Sequence, residues 1–124
     1  MLGEPRFLEA SERALTLFYP LVSRQPTGYT TLLAGVKENL SPPDIVVVRG
    51  PLADLTAWQV KLNSAYLPHT LAFCVPNGIS DLPDALAKPE TPLVNAWLCR
   101  GVRCLPAVTT PEALIALCKG TRDD

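Results

Sequence analysis

At 124 residues, 48% of them hydrophobic, the chain has the size of one domain and enough apolar material to fill its own core. Its 11 Lys and Arg against 12 Asp and Glu leave a net charge of -1, which argues against the basic excess that nucleic-acid binding requires. No run approaches the roughly 18 consecutive apolar residues of a membrane span.

The opening MLGEPRFLEASERAL has early acids and no apolar h-region, so it does not read as a signal peptide. A cytoplasmic setting follows as the expectation, with Cys74, Cys99, Cys104 and Cys118 as reduced thiols. The 13 prolines fall mostly between periodic segments, where they punctuate elements and do not signal disorder.

The first third predicts two helices. Phe7, Leu8, Ala14, Leu15, Phe18, Leu21 and Val22 recur at near-helical spacing, and Pro5 suits a first turn because its missing N–H costs nothing there. Pro20 and Pro26 weaken this helix after Tyr19 and end it by Gln25. In the second helix Tyr29, Leu32, Leu33, Val36 and Leu40 share one face, Thr27 is the expected N-cap, and Pro42-Pro43 stop it. The short connection predicts an antiparallel hairpin.

The pattern then changes. Ile45-Val46-Val47-Val48 is β-branched without alternation, which suits a strand covered on both faces. Arg49-Gly50-Pro51 turns into a third helix over about 52–66, with Asp54 favoured by the dipole in its first turn. TLAFCV (70–75) is the second strand. Asp81 is the expected cap of a short helix over 82–87, and VNAWL (94–98) is the third strand. CRGVRC (99–104) is a turn centred on Gly101. Residues 105–108 return as a short edge strand, and Thr110-Pro111-Glu112 opens a last helix with Leu114, Leu117 and Cys118 inward.

Strands alternating with helices predict an α/β fold: a small three-layer domain with a mostly parallel sheet of three to four strands, preceded by the helical hairpin. The expected organisation is one domain over 1–124, made of the hairpin (1–41), the α/β core (44–119) and a frayed tail (120–124).

The most distinctive chemical feature is Cys99 and Cys104, four residues apart around Gly101. In a hairpin they lie within disulfide reach. Arg100 and Arg103 beside them favour thiolate. The pair reads as a reversible redox couple, as two ligands of a shared metal, or as a structural turn with packed thiols. A bridge closing so short a loop contributes only ~2 kcal/mol on the chain-entropy estimate. The spacing is not C-x-x-C, and no second close pair completes a metal set, so no metal site and no cofactor are expected.

Cys74 and Cys118 read as core residues, as do Trp58 and Trp97 in their helix and strand. His69 is the only histidine; with no nucleophile to pair with, it reads as a loop residue. Arg49 and Gly50 lie where a strand ends and a helix begins, which is where anions bind in open α/β sheets. One glycine followed by proline, with no glycine-rich phosphate motif, makes a tight turn the competing reading. Asp81, Asp84 and Glu90 read as caps and solvated charges. No catalytic set is assembled.

Three stretches, PPDIVVVRGP, YLPHTLAFCVPN and AWLCRGVRCLPAVTTPEAL, together resemble the C-terminal region of a family that joins an N-terminal thioredoxin-like domain to an (α/α) toroid like that of six-hairpin glycosidases. The mammalian member of that family is termed spermatogenesis-associated. The resemblance spans nearly all of the chain, and EPRFLEASERAL resembles the last helices leading out of the toroid.

The resemblance implies a tail domain without the catalytic residues of those two regions. It further implies a non-catalytic accessory or interaction domain docking on other domains of a parent chain or on a protein partner. Without the toroid, the opening helices would expose an apolar face and self-associate into a homo-oligomer. A thiol-redox element at Cys99/Cys104, and an anion or nucleotide site at Arg49 and Gly50, are the alternative readings.

Overall fold

A computed structural model describes residues 4–120. The tail fraying expected at 121–124 lies outside the described residues. Contacts divide the chain into two compact units, Met1–Pro42 and Pro43–Asp124.

The first unit is a pair of helices, α1 (Pro5–Arg24) and α2 (Thr30–Leu40), joined by a 3₁₀ turn over Pro26–Gly28. Pro5 sits in the first turn of α1, and Pro20 lies inside the helix without ending it. The two helices meet where Gly35 lies against Leu15: a Cβ built on Gly35 would stand 3.4 Å from Leu15 Cδ2. Thr27 is not the cap expected of it. It is taken up in the 3₁₀ turn, so α2 begins from Tyr29 with no side-chain cap.

The second unit is a four-stranded sheet with two helices. Its strands are β1 (Asp44–Gly50), β2 (Thr70–Pro76), β3 (Asn95–Arg100) and β4 (Arg103–Cys104), in the order β2-β1-β3-β4. Helix α3 (Leu52–Ser64) links β1 to β2, and α4 (Pro111–Gly120) follows the sheet. Thr110 caps α4 as expected, its Oγ1 accepting from the Ala113 N–H at 3.3 Å.

The fold is α/β, but the sheet is mixed. Only β1 and β2 are parallel, with Val46 opposite Ala72 and Val48 opposite Cys74. β3 runs antiparallel to β1, with Val47 opposite Trp97, and β4 runs antiparallel to β3. The expectation of a mostly parallel sheet fails for a local reason. A parallel third strand needs a crossover, and the helix expected at 82–87 to supply it is absent. That stretch is a single turn held by Leu86 and Ala87 N–H donating to Pro83 C=O. Asp81 adopts φ +57°, a left-handed conformation that an N-cap does not take. The chain leaves β2 and re-enters the sheet at the same end, pairing Asn95 with Arg49.

The three-layer expectation is also corrected within this unit, where both helices cover one face. Val46, Val48, Ala96 and Leu98 from the sheet pack with Leu55, Trp58 and Leu62 of α3 and with Leu114 and Cys118 of α4. Lys61 donates to Glu112 and ties the two helices across their exposed sides. Because side chains alternate along a strand, Val47, Arg49, Trp97 and Cys99 face the other way. Val46, Val47 and Val48 are all fully buried, as their unbroken β-branched run predicts. Among the described residues no helix is long and apolar enough to cross a membrane.

Candidate functional site

The β3–β4 hairpin brings Cys99 and Cys104 together. Arg100 pairs with Arg103, leaving Gly101-Val102 as the two-residue connection. Gly101 has φ +55° and Val102 does not share a positive φ, which is the pattern of a type II′ turn with glycine in its first central position. That turn fixes the register, and the register sets Cys99 directly opposite Cys104 with a Cα separation of 3.9 Å. The two sulfurs are bonded as a disulfide. The expectation of four reduced thiols is therefore corrected at this pair, while Cys74 and Cys118 are outside the disulfide.

The cation that meets the pair is one that sequence spacing did not suggest. Arg100 and Arg103 alternate away from the sulfurs. Arg100 closes a bidentate pair with Asp44, Nε to Oδ1 at 3.0 Å and Nη2 to Oδ2 at 3.2 Å. Lys88 takes their place: its Nζ donates to Cys104 Sγ at 3.0 Å from the loop between β2 and β3. Cys99 is buried at 4% exposure, whereas Cys104 is exposed. The disulfide thus has one protected sulfur and one open sulfur beside an ammonium.

The same loop organises Arg49. This side chain is only 4% exposed, and its Nη2 donates to Ile79 C=O at 2.9 Å and to Glu90 Oε1 at 3.1 Å. The Gly78 N–H donates to the same Glu90 oxygen at 2.6 Å. Asn77 Nδ2 donates to Thr91 C=O at 2.7 Å. Glu90, read from sequence as a solvated charge, is the counter-ion of a buried guanidinium. Gly50 serves packing, because a Cβ there would lie 2.8 Å from Val94 Cγ2 and 2.9 Å from Val94 Cα. An anion at Arg49 and Gly50 would have to displace Glu90, and Pro51, the extended residue that precedes α3, has no N–H to offer.

The hydrogen bond from the Gly78 amide, and then the one from Arg49, hold the Glu90 carboxyl below its usual range. A depressed folded pKa contributes stability above the unfolded value, about 4.3 for Glu, and loses it as pH falls through the lower folded value. The stability gap between the wild type and Glu90→Gln should therefore be constant at neutral pH and shrink below about pH 4. Urea midpoints across that range measure it; a gap unchanged down to pH 2 would mean that the charge of Glu90 does not matter.

The remaining candidates are dispersed. His69 lines a small cavity of about 150 Å³ together with Tyr66, Thr70, Cys118 and Lys119. Cys118 is buried in the last turn of α4. Burial raises the Cys74 thiol above its ordinary range, which keeps it protonated and unreactive. Trp58 is in the core, and Trp97 is half-buried on the opposite face. Among the described residues no three His, Cys, Asp or Glu side chains gather as a metal-binding set.

Fold and site together define a two-layer α/β unit carrying a disulfide-closed hairpin and a loop held by a buried arginine. No family model, no curated protein and no solved structure matches the chain.

Proposed function

We propose that this chain is a non-catalytic accessory domain of a larger protein, in which the helical pair docks onto another domain or a protein partner. One observation carries the reading. Phe7, Ala10, Ala14, Leu17 and Leu21 recur on α1 at alternating steps of three and four residues, and all of them are exposed. Phe7 is 56% and Leu17 72% exposed. Only Val22 of this 20-residue helix is buried. Such a stripe is the seam that one helix offers to another, and helices that keep it uncovered in water are unstable. The resemblance of the opening segment to helices that leave an (α/α) toroid supports a helical partner.

The chain alone should self-associate with concentration in sedimentation velocity, and Leu17→Glu should make it monomeric while changing the unfolding free energy, compared at a dilution where both are monomers, by no more than about 0.5 kcal/mol. A wild type that stays monomeric up to millimolar concentration would sink the docking reading.

A further inference from the structure

We propose that the Cys99–Cys104 disulfide is a thiol–disulfide exchange site for a dithiol partner, with Cys104 as the sulfur that meets the partner and Lys88 as the group that holds its charge. The site goes beyond the docking role and stands on different residues.

The asymmetry of the pair carries the argument. Exchange proceeds by in-line attack of a thiolate on one sulfur, so access selects the sulfur attacked. Cys99 is 4% exposed and sits in the sheet, while Cys104 is the exposed end of the two-residue strand β4. The Lys88 ammonium lies 3.0 Å from Cys104 Sγ. A cation at that distance stabilises sulfur carrying negative charge. It has no comparable value for a bridge that only closes a loop, since a closed disulfide carries no charge.

The adjoining segments suit an approach by another molecule. Val102 at the hairpin tip is fully exposed. The two-residue strand β4 pairs only with β3, so its outer edge is open to a partner's backbone.

The reaction balances with the partner as reductant. One thiolate of the dithiol attacks Cys104 Sγ. The Cys99–Cys104 bond breaks, and Cys99 Sγ departs with the electron pair and takes a proton. A mixed disulfide now joins the partner to Cys104. The partner's second thiol, deprotonated, attacks its own sulfur in that mixed disulfide and expels Cys104 as a thiolate beside Lys88. The partner leaves as a disulfide, two electrons poorer, and this chain keeps two reduced cysteines. Run in reverse, the Cys104 thiolate is the nucleophile and Cys99 resolves the mixed disulfide.

Dithiothreitol is the probe. The folded full chain is treated under native conditions, quenched with acid, alkylated and mapped by mass spectrometry. The disulfide should open without denaturant. In parallel, with the monothiol glutathione as attacker, the trapped adduct should sit on Cys104 and not on Cys99.

In Cys99→Ser, the reaction of Cys104 with a chromogenic aromatic disulfide should be about 3- to 10-fold slower at pH 7 when Lys88→Met is added, because the thiolate loses its neighbouring cation. Its pH profile should shift alkaline, and Lys88→Arg should restore it. A disulfide that resists dithiothreitol until the protein is unfolded would overturn the site. So would glutathione trapped on Cys99, or Cys104 reactivity that ignores Lys88. None of these readouts depends on self-association through α1, so the two proposals fail separately.

Discussion

Replacing Leu98 by alanine should cost about 2–5 kcal/mol, a large part of the 5–15 kcal/mol typical of a domain's whole stability. Leu98 is 1% exposed in the middle of β3, and its side chain faces α3 and α4 together with Val46, Val48 and Leu114. Sheet and helices meet at this position, so truncation leaves a cavity that neither layer can close without moving the other. The loss combines the transfer term for the removed atoms with the cavity term. Urea denaturation followed by far-UV circular dichroism measures it. The midpoint should fall while the slope against denaturant stays the same, because the surface exposed on unfolding hardly changes. A loss under about 1 kcal/mol would show that Leu98 is not in a close-packed core.

Gly50→Ala should destabilise by about 1–3 kcal/mol through overpacking, although alanine is normally a mild replacement. The added methyl would stand 2.9 Å from the Val94 main-chain Cα as well as 2.8 Å from its Cγ2. Side-chain rotation relieves the second contact and not the first. Gly50 is also held in place by pairing with β2 and by the Asn77 N–H donating to its carbonyl at 2.9 Å. The strand end therefore cannot retreat without losing ladder bonds. Combining Gly50→Ala with Val94→Ala separates the causes. If the backbone contact dominates, the double variant should be no more stable than Gly50→Ala alone; full rescue would assign the clash to the valine side chain. The same variant bears on the anion reading, since a glycine kept for ligand approach would tolerate alanine without loss of stability.

Much of the framework was legible from local pattern. The run Ile45–Val48 predicted a strand buried on both faces, and Val46, Val47 and Val48 are all fully buried. Proline marked the connections at Pro5 and Pro111, each the first residue of a helix, and at Pro51, which immediately precedes α3 and does not take its first position. The CRGVRC spacing anticipated two facing sulfurs, and the Gly101 turn sets them opposite one another. These features depend on residues within one or two turns of chain, and there local sterics and hydrophobic period decide the outcome.

Other features depend on residues far apart in the chain and are set by how the folded segments meet. The direction of β3 was one: VNAWL has the same composition whether it runs parallel or antiparallel, and the absence of a crossover helix at 82–87 determined which. The partner of Arg49 was another, because Glu90 lies 41 residues away and carries no local mark that separates it from a solvated acid. The cation at the sulfurs was a third. Arg100 and Arg103 are adjacent in sequence, but strand alternation turns them away, and Lys88 arrives from a loop 16 residues upstream.

Local pattern was enough to mark Val46–Val48 as part of a buried strand, to place the starts of α1, α3 and α4, and to show which two cysteines can meet. Strand direction, the buried ion pair and the charge beside Cys104 came from the fold, because long-range pairing is selected by the packing of the whole chain and leaves no periodic trace in any one segment.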